Sequence, residues 1–385
     1  MKRTLCWVLI FELAISFGIF GCAKQEKEEE GAIKIGAILP LTGEAAKYGL
    51  NTKNGIEIAL EEINRKGGIK GKKVSIIYED SQADPKRAVS VFQKFTTVDK
   101  VRFFLGPLSS SSVLAVAPIA NKKKVIILAP AASSPEITNA GDYIFRNVMS
   151  DLFDGRAIAD FAFNNLKKRT ACVIYISNDF GIGLEDSFKT YFEKYGGEVV
   201  IVEAFNPGDT DFRTQLAKIK SSAPEVVFLA GQKEMGYILR QAVELGLNPQ
   251  WISFSMFEDP EILKIAGNAA NNVYYTYRVF DPDSDISVVK DFTESYKRKY
   301  GQLPDIFAGL AYDAARIFTL ALEKGGQDLE KVKMALYNTR NFPGVVGETT
   351  FDENGDVIKP IGIKRVEKGK FIWVDKSFES KETEK

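Results

Sequence analysis

From Ile33 onward, short apolar runs rich in β-branched residues alternate with longer segments whose apolar residues recur at helical spacing. IKIGAIL (33–39) predicts a strand. Residues 48–66 predict a helix with Ile56, Ala59, Leu60 and Ile63 on one face, ended by Gly67-Gly68. VSIIYED (74–80) predicts the next strand. Asp84-Pro85 then opens a helix carrying Ala88, Val89, Phe92 and Phe95, because Asp accepts first-turn N–H groups and Pro suits the first helical position. Strands follow at 101–106 and 125–130, with a short helix, SSVLAVAPIAN, between them. Strand–helix alternation of this kind implies a parallel sheet covered on both faces.

After Val148 the pattern restarts. Helices are predicted at 151–166, 184–195, 211–221 and 234–245, and strands at 171–177, 198–205, 225–231 and 251–254. VYYTY (273–277) and helices near 286–300, 305–324 and 328–339 come next. The last stretch, 343–374, differs: Gly344, Gly347, the turn Asp352-Glu353-Asn354-Gly355 and the runs IGIKRV and KFIWV read as antiparallel hairpin material. The fold class is therefore α/β, with two similar units and a leftover hairpin. At about 150 residues per domain, 385 residues fit two domains.

Composition narrows the chemistry. Lys+Arg and Asp+Glu balance at 51 each, so no basic field draws in nucleic acid. Histidine is absent, which removes Ser-His-Asp triads, Cys-His pairs and His-based metal sites. Gly181-Ile182-Gly183 lacks the third glycine of a dinucleotide fingerprint, and no GxxxxGK[ST] phosphate loop occurs. No cofactor, metal or catalytic residue is expected, and an enzyme is not the reading.

The N-terminus reads as an address. Lys2 and Arg3 precede a mostly apolar run from Leu5 to Phe20, and Ile19-Phe20-Gly21-Cys22 resembles a bacterial lipobox, with Phe20 and Glu12 as departures. Residues 1–21 are expected to be a lipoprotein signal peptide, Cys22 the lipidated residue, 22–30 a charged tether and 377–385 a disordered tail. Cys172, in an apolar run, is expected to be a small core residue.

Several stretches, in this order and spacing, resemble the type I periplasmic binding proteins, specifically the Leu/Ile/Val-binding group that feeds branched-chain amino-acid ABC importers. They include IKIGAILPLTGEAAKYG (33–49), FLGPLSSSSVLAVAP (104–118), VIILAPAASSPEIT (125–138), YISNDFGIGL (175–184), GDTDFRTQLAKIKSSAPEVVFLAG (208–231) and LPDIFAGLAYDAARI (303–317). The resemblance implies two doubly wound, Rossmann-like lobes joined by three hinge crossovers near Met149, Arg278 and Phe342. Lobe one would be 31–149 plus 279–342, and lobe two 150–278 plus 343–376. It also implies an exported monomer, held to the membrane by the lipid that the lipobox predicts, that hands an amino acid (branched-chain-like or polar) or a related small carboxylate to ABC permease subunits.

Carried over residue by residue, the resemblance gives ligand-binding roles to Tyr48, Ser110, Ala131, Ala132, Ser133, Phe180, Gln232 and Ser255. Ser110 (hydroxyl and N–H) and the Ser133 N–H would hold a ligand carboxylate; the Ala131 carbonyl and Ser133 hydroxyl would accept from an ammonium. Helix starts favour anions without any arginine, the dipole contributing roughly 0.3–2 kcal/mol. Serines before helices are also ordinary caps, the reading preferred for Ser134. One departure stands out: Ser255 falls where Leu/Ile/Val binders present a carboxylate to the ammonium, with Glu258 and Asp259 close by but off register. Either Glu258 reaches in, or the ligand is a carboxylic acid without an ammonium group. A sensor signalling to a receptor is the other alternative to transport.

Overall fold

The structure is a computed structural model that describes residues 31–278 and 280–378. The expected signal peptide, Cys22 and the tether up to residue 30 lie outside the described residues, as do 379–385.

Lobe one opens with β1 (Ile33–Leu39), α1 (Ala46–Arg65), β2 (Val74–Asp80), α2 (Pro85–Thr97), β3 (Phe103–Leu105), α3 (Ser110–Lys123), β4 (Ile126–Ala129) and β5 (Ile144–Arg146). The strands form one parallel sheet in the order β2-β1-β3-β4-β5. Helix α2 begins as its sequence predicts: the Asp84 side chain accepts from Arg87 N at 2.8 Å with Pro85 next. Three later helices, α9 (Ser287–Tyr300), α10 (Ile306–Gly325) and α11 (Leu329–Tyr337), return to this lobe. With α1 they cover one face of the sheet, and α2 and α3 cover the other. Gly55 lets α1 lie against α10, since a Cβ there would come within 2.1 Å of the Ala308 carbonyl oxygen.

Lobe two contains α4 (Asp151–Asp160), β6 (Thr170–Ile176), α5 (Asp179–Lys194), β7 (Glu198–Phe205), α6 (Arg213–Ser222), β8 (Val226–Ala230), α7 (Glu234–Glu244), β9 (Gln250–Ser253), α8 (Pro260–Ala266) and β10 (Tyr274–Arg278). The chain then forms the small hairpin β11 (Phe342–Gly344) and β12 (Gly347–Thr349), and ends with β13 (Ile361–Glu367) and β14 (Lys370–Asp375). The second sheet runs β14-β13-β10-β9-β8-β6-β7. β6 to β10 pair in parallel, and the β13–β14 hairpin adds antiparallel to β10. Cys172 sits fully buried in this core.

Three expectations shift. The last crossover falls between Val357 and Ile361 and not at Phe342: Phe342, Val345, Val346, Phe351 and Val357 pack in lobe one's core, while Ile363 and Val366 pack in lobe two's. The reason is polar as well as apolar. The buried Asp313 carboxylate accepts the Val345 and Val346 N–H groups, at 2.8 and 3.0 Å, and Asp356 pairs with Arg146. Helix α5 starts at Asp179, five residues before the predicted start, because Asn178 Oδ1 caps Gly181 N at 2.9 Å. Finally, the start of the expected tail is docked: Phe378 N–H donates to the Ile361 carbonyl, and its ring meets Phe161 edge-on.

Candidate functional site

The cleft between the lobes is a cavity of about 1460 Å³. Tyr48, Ser110, Ala131, Ser133, Phe180, Gln232 and Ser255 all line it. Ala132 does not; its methyl group is buried in the core on the α2–α3 side of the first sheet.

On lobe one the lining is built from the loops at the carboxyl ends of β3 and β4, where open parallel sheets present ligand sites. Ser109 holds the cap position of α3, yet its hydroxyl makes no capping bond and instead donates to Ser112 Oγ at 2.8 Å. Ser110 Oγ accepts from Ser133 N (3.2 Å) and Ser134 N (3.1 Å), tying the two loops together. The Ser133 N–H expected to meet the ligand is thus directed to Ser110. A hydroxyl whose lone pairs both accept has only its proton left to give, so Ser110 O–H is set to donate to an anion. The Ser133 hydroxyl donates to Asp151 Oδ2 at 2.8 Å, leaving its oxygen free to accept. Ser134 occupies the cap position of a short 3₁₀ turn without a side-chain capping bond.

Arg146, on β5 and fully buried, fixes this loop from behind. It donates to the Ser133 and Ser134 carbonyls and binds both oxygens of Asp356, each at 2.6 Å. On the hinge side, Asp151 N donates to the Ser133 carbonyl. Arg278 bridges the carboxylates of Asp151 and Asp154 at 3.3 and 2.7 Å. Burial pushes the Asp151 carboxyl up to about 7, against the pull of Arg278. Lys359, buried in the last crossover, is lowered to about 8 by the same desolvation, opposed by Asp313. The loop that would hold a ligand is therefore wired directly into the first two crossings.

Lobe two supplies rings and ion pairs. Phe180 stands in the first turn of α5 with its ring 5.3 Å from that of Phe254. Opposite, Tyr48 packs on Phe307 at 4.9 Å. Ser255 is buried and its hydroxyl has no hydrogen-bond partner. Glu258 borders the cleft but is already engaged, by Lys364 and by the Tyr275 hydroxyl at 2.6 Å. Asp259 accepts from Lys47 of lobe one at 2.6 Å, and Lys233 of lobe two pairs with Glu44 of lobe one. These ion pairs cross the mouth, so the lobes are closed on each other.

Lys47, Arg146, Asp151, Tyr277, Lys364, Phe371 and Trp373 were not singled out from sequence. Lys364 gave no clear signal, since Arg365 and Glu367 of the same strand are charged too. The others depend on pairings far apart in the chain. Among the described residues no group of side chains is arranged to hold a metal, and no helix is long and apolar enough to cross a membrane.

Two α/β lobes, three crossings and a closed cleft with unspent polar groups define a ligand-trapping protein of the two-lobed type. The comparisons agree: residues 32–370 match the model of the periplasmic binding protein family, and the chain belongs to that family. It is 33% identical to a leucine-, isoleucine-, valine-, threonine- and alanine-binding protein of Pseudomonas aeruginosa, over 84% of this chain and 87% of that protein. It superposes on a leucine-binding protein, LivK, of Thermotoga maritima with a TM-score of 0.83 and 33% identity, covering 89% of this chain and 97% of that one. It also superposes on the branched-chain amino-acid transporter binding protein LivJ of Streptococcus pneumoniae, solved with isoleucine, with a TM-score of 0.80 and 30% identity, covering 88% and 97%. The chain is a solute-binding protein.

Proposed function

We propose that this protein is the extracytoplasmic binding component of an ABC importer, anchored by lipid on Cys22, and that it carries an amino acid or a related small carboxylate to its permease as a monomer. The observation that supports the reading is the serine lining at the start of α3. There the Ser110 hydroxyl accepts from two N–H groups and keeps its proton to donate, and no side chain caps the first turn of α3, whose N–H groups have no partner within the helix. An ammonium on the same ligand would meet the Ala131 carbonyl and the Ser133 hydroxyl, whose proton is committed to Asp151. Tyr48 and Phe180 flank the side chain from the two lobes. Each methylene buried there contributes about 0.8 kcal/mol, so shape ranks ligands only gently.

A second reading is favoured by one specific feature. Glu258 is held by Lys364 and Tyr275, and Ser255 is neutral, so lobe two offers no uncommitted carboxylate at that point. A buried ammonium without a counter-charge is costly. A carboxylic acid lacking the amino group fits this half of the cleft better.

Native mass spectrometry of the purified chain, followed by thermal shift, tests both. Leucine and its deaminated analogue 4-methylpentanoate form the deciding pair. A true ligand at 100 times its Kd stabilises the fold by about 2.7 kcal/mol. Stabilisation by leucine alone supports the amino-acid reading, and by the acid alone the second. If neither these nor other amino acids and small carboxylates move the melting curve, the function proposed here fails. Loss of uptake of the bound ligand on deletion supports transport; intact uptake with a lost response points to sensing.

A further inference from the structure

The cleft is larger than one branched-chain amino acid needs. Small-molecule pockets commonly span about 300–1,000 Å³, and this one reaches about 1460 Å³. Part of its wall is the C-terminal hairpin, where Phe371 and Trp373 of β14, Lys364 of β13 and Tyr277 of β10 line the same cavity as Ser110 and Ser133. Trp373 lies across the sheet because position 362 is glycine: a Cβ on Gly362 would come within 2.4 Å of the indole ring. Lys364 Nζ sits 4.4 Å from the Tyr277 ring centroid and 4.7 Å from that of Trp373, with its charge met by Glu258. Tyr277 is buried, while Phe371 and Trp373 are half-buried at the edge of the cavity. Rings packed edge-on and braced by a neutralised ammonium form a firm shelf. Half-buried rings in a cleft are apolar surface that a ligand can cover.

Building on the carboxylate site proposed above, we propose that this shelf is a distal subsite, and that the ligand is a carboxylate whose far end is an aromatic ring seated against Trp373 and Phe371. The anionic end lies at Ser110. The ring supplies a flat apolar face for Trp373 and Phe371 that an aliphatic side chain lacks. Aromatic amino acids and aromatic acids without an amino group share this chemistry, and the probes separate them.

The chain has three tryptophans, Trp7, Trp251 and Trp373. In a full chain carrying Trp7→Phe and Trp251→Phe, emission reports on Trp373 alone. The probes are phenylalanine, 3-phenylpropanoate, leucine and 4-methylpentanoate. The expected result is a change in Trp373 emission with one or both aromatic probes and a Kd at least tenfold below that of the matching aliphatic probe. Calorimetry on an otherwise native Trp373→Leu chain guards against misfolding of the double variant. There the aromatic probe should lose about tenfold in affinity, and the aliphatic one less than twofold. Binding of leucine or 4-methylpentanoate as tight as the aromatic partner, with emission unmoved, overturns the subsite and leaves the proposed function standing. Absence of heat with all four probes overturns the subsite; the proposed function falls only if the wider panel of amino acids and small carboxylates also leaves the melting curve unmoved.

Discussion

The two lobes share an architecture and divide the work. Lobe one meets the cleft with serine hydroxyls and main-chain groups, held from behind by the buried Arg146–Asp356 pair. Lobe two meets it with more rings than the Tyr48–Phe307 pair of lobe one, with the ion-paired Glu258 and Lys364, and with the unpartnered Ser255 hydroxyl. Main-chain donors at a helix start recognise any carboxylate, because they are fixed by the fold and not by side-chain choice. Rings and neutralised pairs select by shape. A protein built this way can keep one lobe as a common anchor and change its ligand through the other.

The division can be broken at several points, and the largest effect is expected behind lobe one. Arg146→Met leaves Asp356 buried without its partner and frees the Ser133–Ser134 carbonyls. Urea unfolding should show a loss of about 3–5 kcal/mol, and a loss below 1 kcal/mol would mean that this pair does not hold the loop. A second effect is read against pH. Asp151 holds its proton up to about 7 in the folded chain, against an ordinary 3.8. Between those values the folded state binds a proton that the unfolded state has released, so this contribution is full below about pH 4 and is lost as pH rises through 7. Unfolding midpoints across pH 4–7 should fall less steeply in Asp151→Asn than in the parent. Parallel curves would remove Asp151 from the hinge's account.

Binding variants follow. Ser110→Ala removes the proposed donor to the ligand and the acceptor for two N–H groups. Calorimetry should show affinity about 10–100-fold weaker, with stability lowered by only about 1 kcal/mol. Equal loss in both would make Ser110 a brace and not a contact. Ser255→Ala removes a hydroxyl with no partner in the protein. Affinity should drop about 3–10-fold while the ligand-free melting temperature stays unchanged. The smallest effect belongs to the mouth. The Lys47–Asp259 pair is exposed on the lysine side, and such pairs contribute about 0.2–1 kcal/mol. Lys47→Ala should weaken binding about 2–5-fold at low salt and less at high salt. A change that ignores salt would contradict an ionic latch.

Much of the scaffold was legible in the chain. Asp84-Pro85 announced α2, the apolar run 33–39 announced β1, and the restart after Val148 announced the second unit. The serine-rich loops after β3 and β4 pointed to the cleft because their neighbours in sequence are also their neighbours in space. What stayed hidden depends on distance along the chain. β5 is three residues long and has no room for a pattern. The early start of α5 hung on one Asn178 side chain. The hairpin 361–375 was readable as a hairpin, but nothing local says that it joins β10 and brings Lys364 to Glu258, 106 residues away. The last crossover was misplaced for the same reason, since Asp313 and Arg146 hold residues 345–356 from far upstream.

The central claim is that a guest is trapped between lobes that close on it. Small-angle X-ray scattering with and without the ligand identified by thermal shift tests it most directly. The account predicts a smaller radius of gyration on binding, approaching that calculated for the closed arrangement with Lys47 on Asp259. Scattering that stays the same while calorimetry records saturable binding would contradict it.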